Sequence, residues 1–158
     1  METIKNGSEV LFDGNGNWGI SAWRIDMSNQ SSLTATNNGY SGIWTRVLNV
    51  DKTCKLDVEE NGVKPLSAAT SGGIVFQGNG TYKSTIEKGA DVTIMNNAGS
   101  GIYTKQAACD LTIGSATIIN NGTGIQNENK IGAEYGGGIY NIGTMRLGSS
   151  VILYNNHA

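Results

Sequence analysis

The sequence predicts an all-β protein of the parallel β-helix type. Three observations carry that prediction: two short marks that alternate along the chain, a local period of 2, and a composition rich in glycine but thin in apolar residues. Among 158 residues there are 23 glycines and one proline, with 38% hydrophobic and 7% aromatic residues. That length suits one domain, but so few apolar residues fill a core only if nearly every one points inward.

The first mark is Gly-Ile followed by an often aromatic residue: Gly19-Ile20-Ser21, Gly42-Ile43-Trp44, Gly73-Ile74-Val75, Gly101-Ile102-Tyr103 and Gly138-Ile139-Tyr140. The second is an alternating strand that closes in a polar pair. Its copies end at Asn37-Asn38, Glu60-Asn61, Asn96-Asn97, Asn120-Asn121 and Asn155-Asn156. From glycine to final asparagine the distance is about 18 to 20 residues in four copies and about 24 in the third, a spacing typical of short-period solenoids. Surplus length falls after the asparagines, at Gly62 to Ser71 and Gly122 to Gly136, where a solenoid carries insertions; Gly124-Ile125-Gln126-Asn127 imitates the first mark and belongs to the second insertion.

Within each unit the apolar residues alternate with polar ones, as in Val92-Thr93-Ile94-Met95 and Leu111-Thr112-Ile113. This is the pattern of a half-buried strand, and no segment carries a helical stripe, so almost no helix is expected. A unit of roughly 22 residues cannot bury its own inward face; stacked units close a continuous apolar column. The recurring asparagines are expected to form a structural ladder, each tolerating a left-handed turn and bonding its neighbour's backbone, and the recurring glycines to permit close approach of stacked backbones.

Gly136-Gly137-Gly138-Ile139-Tyr140-Asn141, followed by Met145-x-Leu147-Gly148-Ser149 and Val151-x-Leu153-Tyr154-Asn155-Asn156, resembles the repeat of right-handed parallel β-helix surface proteins. These are the pectate-lyase-like solenoids of bacterial adhesins and autotransporter passengers, including the "GGAI" and "FxxN" repeats. The resemblance is sharpest in the last two units and weak from Gly19 to Asn61. It implies a right-handed parallel β-helix of about five coils in a bacterial cell-surface or secreted protein. Residues 1–18 are expected to be an N-terminal cap or first partial coil, with Val10, Leu11 and Phe12 as its plug. Residues 19–158 are expected to be repeats that continue beyond the end of this sequence, and the last coil to associate end to end or to fray.

Several function classes are excluded or disfavoured by residue type. The one histidine, His157, lies at the chain's end, which removes a Ser-His-Asp triad, a Cys-His pair and a His-based zinc site from the interior. Net charge is -2 with dispersed Lys and Arg, so no nucleic-acid partner is expected. No apolar run approaches a membrane span, and METIKNGSEV lacks a secretory signal's basic and apolar regions. Asp13-Gly14-Asn15-Gly16-Asn17 opens like a calcium loop but places Trp18 at the sixth position and Arg24 at the twelfth, so a turn is expected and no metal or cofactor. Asp51, Asp57, Asp91 and Asp110 fall at different phases of their units, and Glu59 and Glu60 point apart, which argues against an enzyme and leaves a polysaccharide lyase or glycoside hydrolase as the least favoured alternative. Cys54 and Cys109 are expected to be reduced thiols too far apart for a disulfide.

What rises above this background is aromatic. If the isoleucines of the first mark point inward, the next residues form an outward column Ser21, Trp44, Val75, Tyr103 and Tyr140, with Trp23, Arg46, Gln77, Lys105 and Ile142 two positions further on the same face. Trp23, Trp44, Tyr103 and Tyr140, with Arg46 and Lys105 among them, are then expected to make a partly exposed strip suited to a host or neighbouring-cell glycan or surface protein. Such a strip also serves a purely structural end if the rings only cover the sheet, as in a passive spacer.

Overall fold

The computed structural model describes residues 1–62, 72–78, 81–123, 125–126, 130–131 and 136–158. In chain order its strands are β1 (Glu2–Ile4), β2 (Glu9–Asp13), β3 (Ile20–Met27), β4 (Ser32–Thr36), β5 (Ser41–Val50), β6 (Lys55–Glu59), β7 (Gly72–Phe76) and β8 (Tyr82–Ile86). They continue as β9 (Asp91–Met95), β10 (Ser100–Thr104), β11 (Cys109–Ile119), β12 (Ile125–Gln126), β13 (Lys130–Ile131), β14 (Ile139–Asn141) and β15 (Thr144–Tyr154). Thirteen of them join one sheet in which every pair is parallel, while β12 and β13 form a separate antiparallel pair. No helix occurs among the described residues. The all-β, parallel expectation holds, and the pairing is consistent with a β-solenoid. The insertions expected at Gly62 to Ser71 and Gly122 to Gly136 lie mostly outside the described residues, but among the described residues Ile125–Gln126 pairs with Lys130–Ile131 alone, apart from the repeat's sheet.

Inward residues stack in register as columns of like character. On one side Ile20, Ile43, Ile74, Ile102 and Ile139 are successive partners, so the first mark does place its isoleucine inward. On the next, Ile4, Met27, Val50, Ile86, Ile113 and Leu147 align. On the third, Phe12, Ala35, Val58, Ile94, Ile118 and Leu153 align. Ile43, Ile74, Ile102, Ile86, Val58, Ile94 and Ile118 have no exposed surface. Burial of this kind stabilises by about 1.5–3 kcal/mol per large aliphatic side chain, which explains how a modest apolar fraction suffices.

The two sequence marks meet at one corner and form a single device. Asn15 Nδ2 donates to Asn38 Oδ1, Asn38 to Asn61, Asn61 to Asn97, Asn97 to Asn121 and Asn121 to Asn156, at 2.8–3.0 Å. The steps along the chain are 23, 23, 36, 24 and 35 residues, so the ladder stays continuous although the units differ in length. Each Oδ1 also accepts from the preceding asparagine's backbone N–H. The glycine of the first mark lies against this ladder. A Cβ on Gly42, Gly73, Gly101 or Gly138 would stand 2.7–3.0 Å from the Nδ2 of Asn61, Asn97, Asn121 or Asn156, respectively. Only a residue without a side chain lets the amide pass, so mark one and mark two constrain each other.

In one respect the expected ladder needs correction. The left-handed residue is not the ladder asparagine but the one before it: Gly14, Asn37, Glu60, Asn96, Asn120 and Asn155 have φ between 51° and 64°. The first residue of each pair turns the chain, and the second is thereby aimed inward with its amide free to bond. Residues 9–15 enter this scheme too. Val10 and Phe12 pair with Leu33 and Ala35, and Asn15 begins the ladder, within the segment read from sequence as a cap or partial coil.

Candidate binding surface

The outward column predicted on the first side is present by register: Ser21, Trp44, Val75, Tyr103 and Tyr140 are successive partners across β3, β5, β7, β10 and β14. The column is not uniformly exposed. Ser21 is open, Tyr103 and Tyr140 are half-buried, but Trp44 is 9% exposed and Val75 only 1%. The expectation that the Trp44 ring is partly exposed is therefore corrected. Trp18 packs on it with ring centroids 5.4 Å apart, and Lys105 Nζ lies 5.4 Å from the ring centroid as a cation–π partner. Trp18 also meets Tyr40 edge-on at 6.0 Å.

At the two flanks of this buried centre the aromatics are more open. Trp23, on β3, is 47% exposed and meets Tyr82 edge-on at 5.2 Å. Tyr103 and Tyr140 stack at 5.1 Å with only 19° between ring planes, because adjacent parallel strands present them directly one above the other. Arg46 is half-buried and Lys105 exposed. The structure thus brings Trp44 and Lys105 together and Tyr103 and Tyr140 together, while Trp23 finds its partner in a residue the sequence reading passed over. Trp18, Tyr40 and Tyr82 were all missed. Trp18 and Tyr40 stand one and two residues before the Gly-Ile mark, a recurrence that sequence inspection had the means to notice; Tyr82 carries no such signal, because it reaches Trp23 across a corner.

Several ionised side chains elsewhere are occupied with one another or with turns. Arg24 Nε donates to Asp26 Oδ2 at 2.6 Å and Asn49 Nδ2 to Asp26 Oδ1 at 2.8 Å. Burial raises the Asp26 pKa, but the bonds from Arg24 and Asn49 outweigh it and hold the carboxyl below its ordinary value. Asp51 accepts the hydroxyl and backbone N–H of Thr53, both at 2.6 Å, and the N–H of Asn29 at 3.2 Å. The Thr53 hydroxyl bond, then its backbone bond, depress the Asp51 pKa. Glu87 follows Asp51 at the same corner one level on and caps the N–H of Lys52 at 3.1 Å. Lys55 Nζ pairs with Asp57 at 2.9 Å, and Arg146 with Asp110.

Among the described residues no three His, Cys, Asp or Glu converge as metal ligands. Asn15, from the calcium-like segment, is committed to the ladder. Cys54 and Cys109 are free and buried, and burial pushes the Cys109 thiol up, away from nucleophilic thiolate chemistry. Chemically, the arrangement offers flat apolar rings edged by cations and amides.

No family model, curated protein or solved structure matches the chain. The likeness to adhesin solenoids therefore rests on the repeat residues alone.

Proposed function

We propose that this chain is a right-handed parallel β-helix of about five coils acting as a non-enzymatic binding module of a bacterial cell-surface or secreted protein. Its ligand is a glycan or surface protein of a host or neighbouring cell. The contact residues are Trp23, Arg46, Tyr103, Lys105 and Tyr140, with Trp44 holding the surface from beneath. The observation that carries the reading is the aromatic surface itself: an indole 47% exposed at Trp23 and a stacked tyrosine pair at the other flank, with cations between. Rings fixed by packing contribute contact area at low entropic cost and stack on the apolar faces of sugars.

A glycan and mucin array tests the proposal. Binding by the parent chain should fall about tenfold or more in whichever of Trp23→Ala and Tyr140→Ala removes the ring of the flank the ligand engages, because an aromatic anchor buried in a contact contributes about 2 kcal/mol or more. Circular dichroism of both variants should be unchanged. Absence of binding to every glycan and mucin favours a second reading, a passive spacer, which the burial of Trp44 and Val75 supports: there the rings do nothing but cover the sheet.

A further inference from the structure

Two of the buried ladder asparagines precede a glycine that the turn itself requires. Gly62 follows Asn61 with φ of 86°, and Gly122 follows Asn121 with φ of 81°, a left-handed backbone that residues with a side chain rarely adopt. Asn-Gly is also the pair in which asparagine most readily loses its amide, because no Cβ hinders the following nitrogen from closing on Cγ. The fold thus sets its most labile dipeptide at its most buried polar position: Asn61 is 1% exposed and Asn121 has no exposed surface.

The closed ladder opposes that reaction at each group it would use. The attacking group is the glycine nitrogen. Gly62 N–H donates to Asn38 O at 2.9 Å, and Gly122 N–H to Asn97 O and Gly99 O, both at 2.9 Å, so each nitrogen keeps its proton. The leaving group is the side-chain amide. Asn61 Nδ2 is engaged by Ala35 O, Glu59 O and Asn97 Oδ1, all at 2.9 Å, and Asn121 Nδ2 by Ile94 O, Ile119 O and Asn156 Oδ1 at 2.9–3.1 Å. The bonds to Glu59 O and Ile119 O, two residues back, turn each amide toward the strand it follows and away from the glycine it would have to meet. Burial also excludes the water that the later hydrolysis consumes.

We propose that Asn61-Gly62 and Asn121-Gly122 are self-modification sites, silent while the ladder is closed, that convert covalently once a coil opens. The glycine nitrogen gives its proton to solvent and bonds to the asparagine Cγ; the Cγ–Nδ2 bond breaks and the nitrogen leaves as ammonia. Water then adds to one carbonyl of the succinimide ring and reopens it, leaving aspartate or, through the other carbonyl, isoaspartate. Nothing is oxidised or reduced. Either product sets a carboxylate where an amide faced carbonyl oxygens, and isoaspartate also lengthens the backbone at the corner. Neither refits the rung at neutral pH, so opening becomes one-way.

Peptide mapping by mass spectrometry of the whole chain, held in mildly alkaline buffer either folded or in urea, tests this. Conversion at Asn61 and Asn121 should be at least about a hundredfold slower in the folded chain, since opening of a core rung is rare. Asn97 is the internal control: it is equally buried but precedes Ala98, and it should be slow in both conditions. After return from alkaline urea, size exclusion separates refolded from unfolded chains, and acid at positions 61 and 121 should be confined to the unfolded fraction. Mildly acidic urea, in which the glycine nitrogen keeps its proton, should leave refolding complete. Equal rates at either site in folded and unfolded chain, converted sites within the refolded fraction, or a chain that fails to refold even from acidic urea each overturns the proposal.

Discussion

Asn121→Leu is the sharpest probe of the ladder, because Asn121 is fully buried and every polar atom of its side chain is engaged. Its Oδ1 accepts from Asn97 N at 3.2 Å and Asn97 Nδ2 at 2.8 Å; its Nδ2 donates to Ile94 O at 2.9 Å, Ile119 O at 3.1 Å and Asn156 Oδ1 at 3.0 Å. Leucine keeps the branching and heavy-atom count of asparagine, so the site stays filled, and overpacking by its bulkier methyl groups adds to the loss. The cost lies in what is orphaned: two donors on Asn97, itself without exposed surface, at about 1–3 kcal/mol each. The expected loss is about 2–5 kcal/mol, or roughly 4–20 °C in melting temperature for a chain of this length. Chemical denaturation followed by circular dichroism should show the loss with an unchanged m-value. Asn15→Leu, at an exposed ladder position, should cost markedly less. Asn121→Asp adds a second signature, since burial among carbonyl oxygens raises the carboxyl pKa and the neutral acid is the form that fits. Its deficit should be small below pH about 4 and grow as pH rises through and beyond the ordinary carboxyl range. A melting temperature for Asn121→Leu within about 2 °C of the parent would refute the argument that the amide ladder stabilises the fold.

Glu60, with φ of 56°, is the ladder-corner residue that is neither Gly nor Asn, and its side chain is exposed; Glu60→Asn should stabilise by about 0.5–1.5 kcal/mol in thermal melts. Gly101→Ala should destabilise by about 1–3 kcal/mol, since its Cβ would lie 2.8 Å from both Asn121 Nδ2 and Gly138 O. Because the folded-state pKa values of Asp51 and Asp26 are depressed, their contributions are present above pH about 4 and vanish as pH falls through the lower folded values; a melting series from pH 7 to 2 should show this acid loss, reduced in Asp51→Asn. Thiol titration should find both cysteines reduced, Cys109 reacting only on unfolding.

The parts of the fold that were legible in the sequence are those where the repeat repeats a physical requirement. Inward isoleucines, corner glycines and buried asparagines face the same neighbours at every level, so the same residue types recur. The first ladder member escaped because Gly14 replaces the usual left-handed asparagine, a substitution the backbone accepts and a pattern search does not. The reversal within each Asn-Asn pair had a related cause: either residue is chemically able to turn left-handed, and only the hydrogen bonds of Asn38, Asn61, Asn97 and Asn121 tell the turning residue from the bonding one.

The outward face follows a weaker rule. Strand alternation decides the side on which Trp44 and Val75 project, but exposure depends on what lies over them, and the period of the strand contains no information about that. Trp18 comes from before β3 and Lys105 from after β10, so the cover on Trp44 is assembled from residues beyond the ends of the strands. The same logic separates the candidate contact residues. Val75, fully withdrawn at the centre of its column, takes the middle of the strip away from any ligand, while Trp23 on one flank and Tyr140 on the other retain accessible rings. A ligand that uses this face must therefore engage a flank rather than lie along the whole column. For that reason Trp23→Ala and Tyr140→Ala, which sit on different flanks, should not weaken binding of a small glycan equally, and the unequal loss would locate the contact.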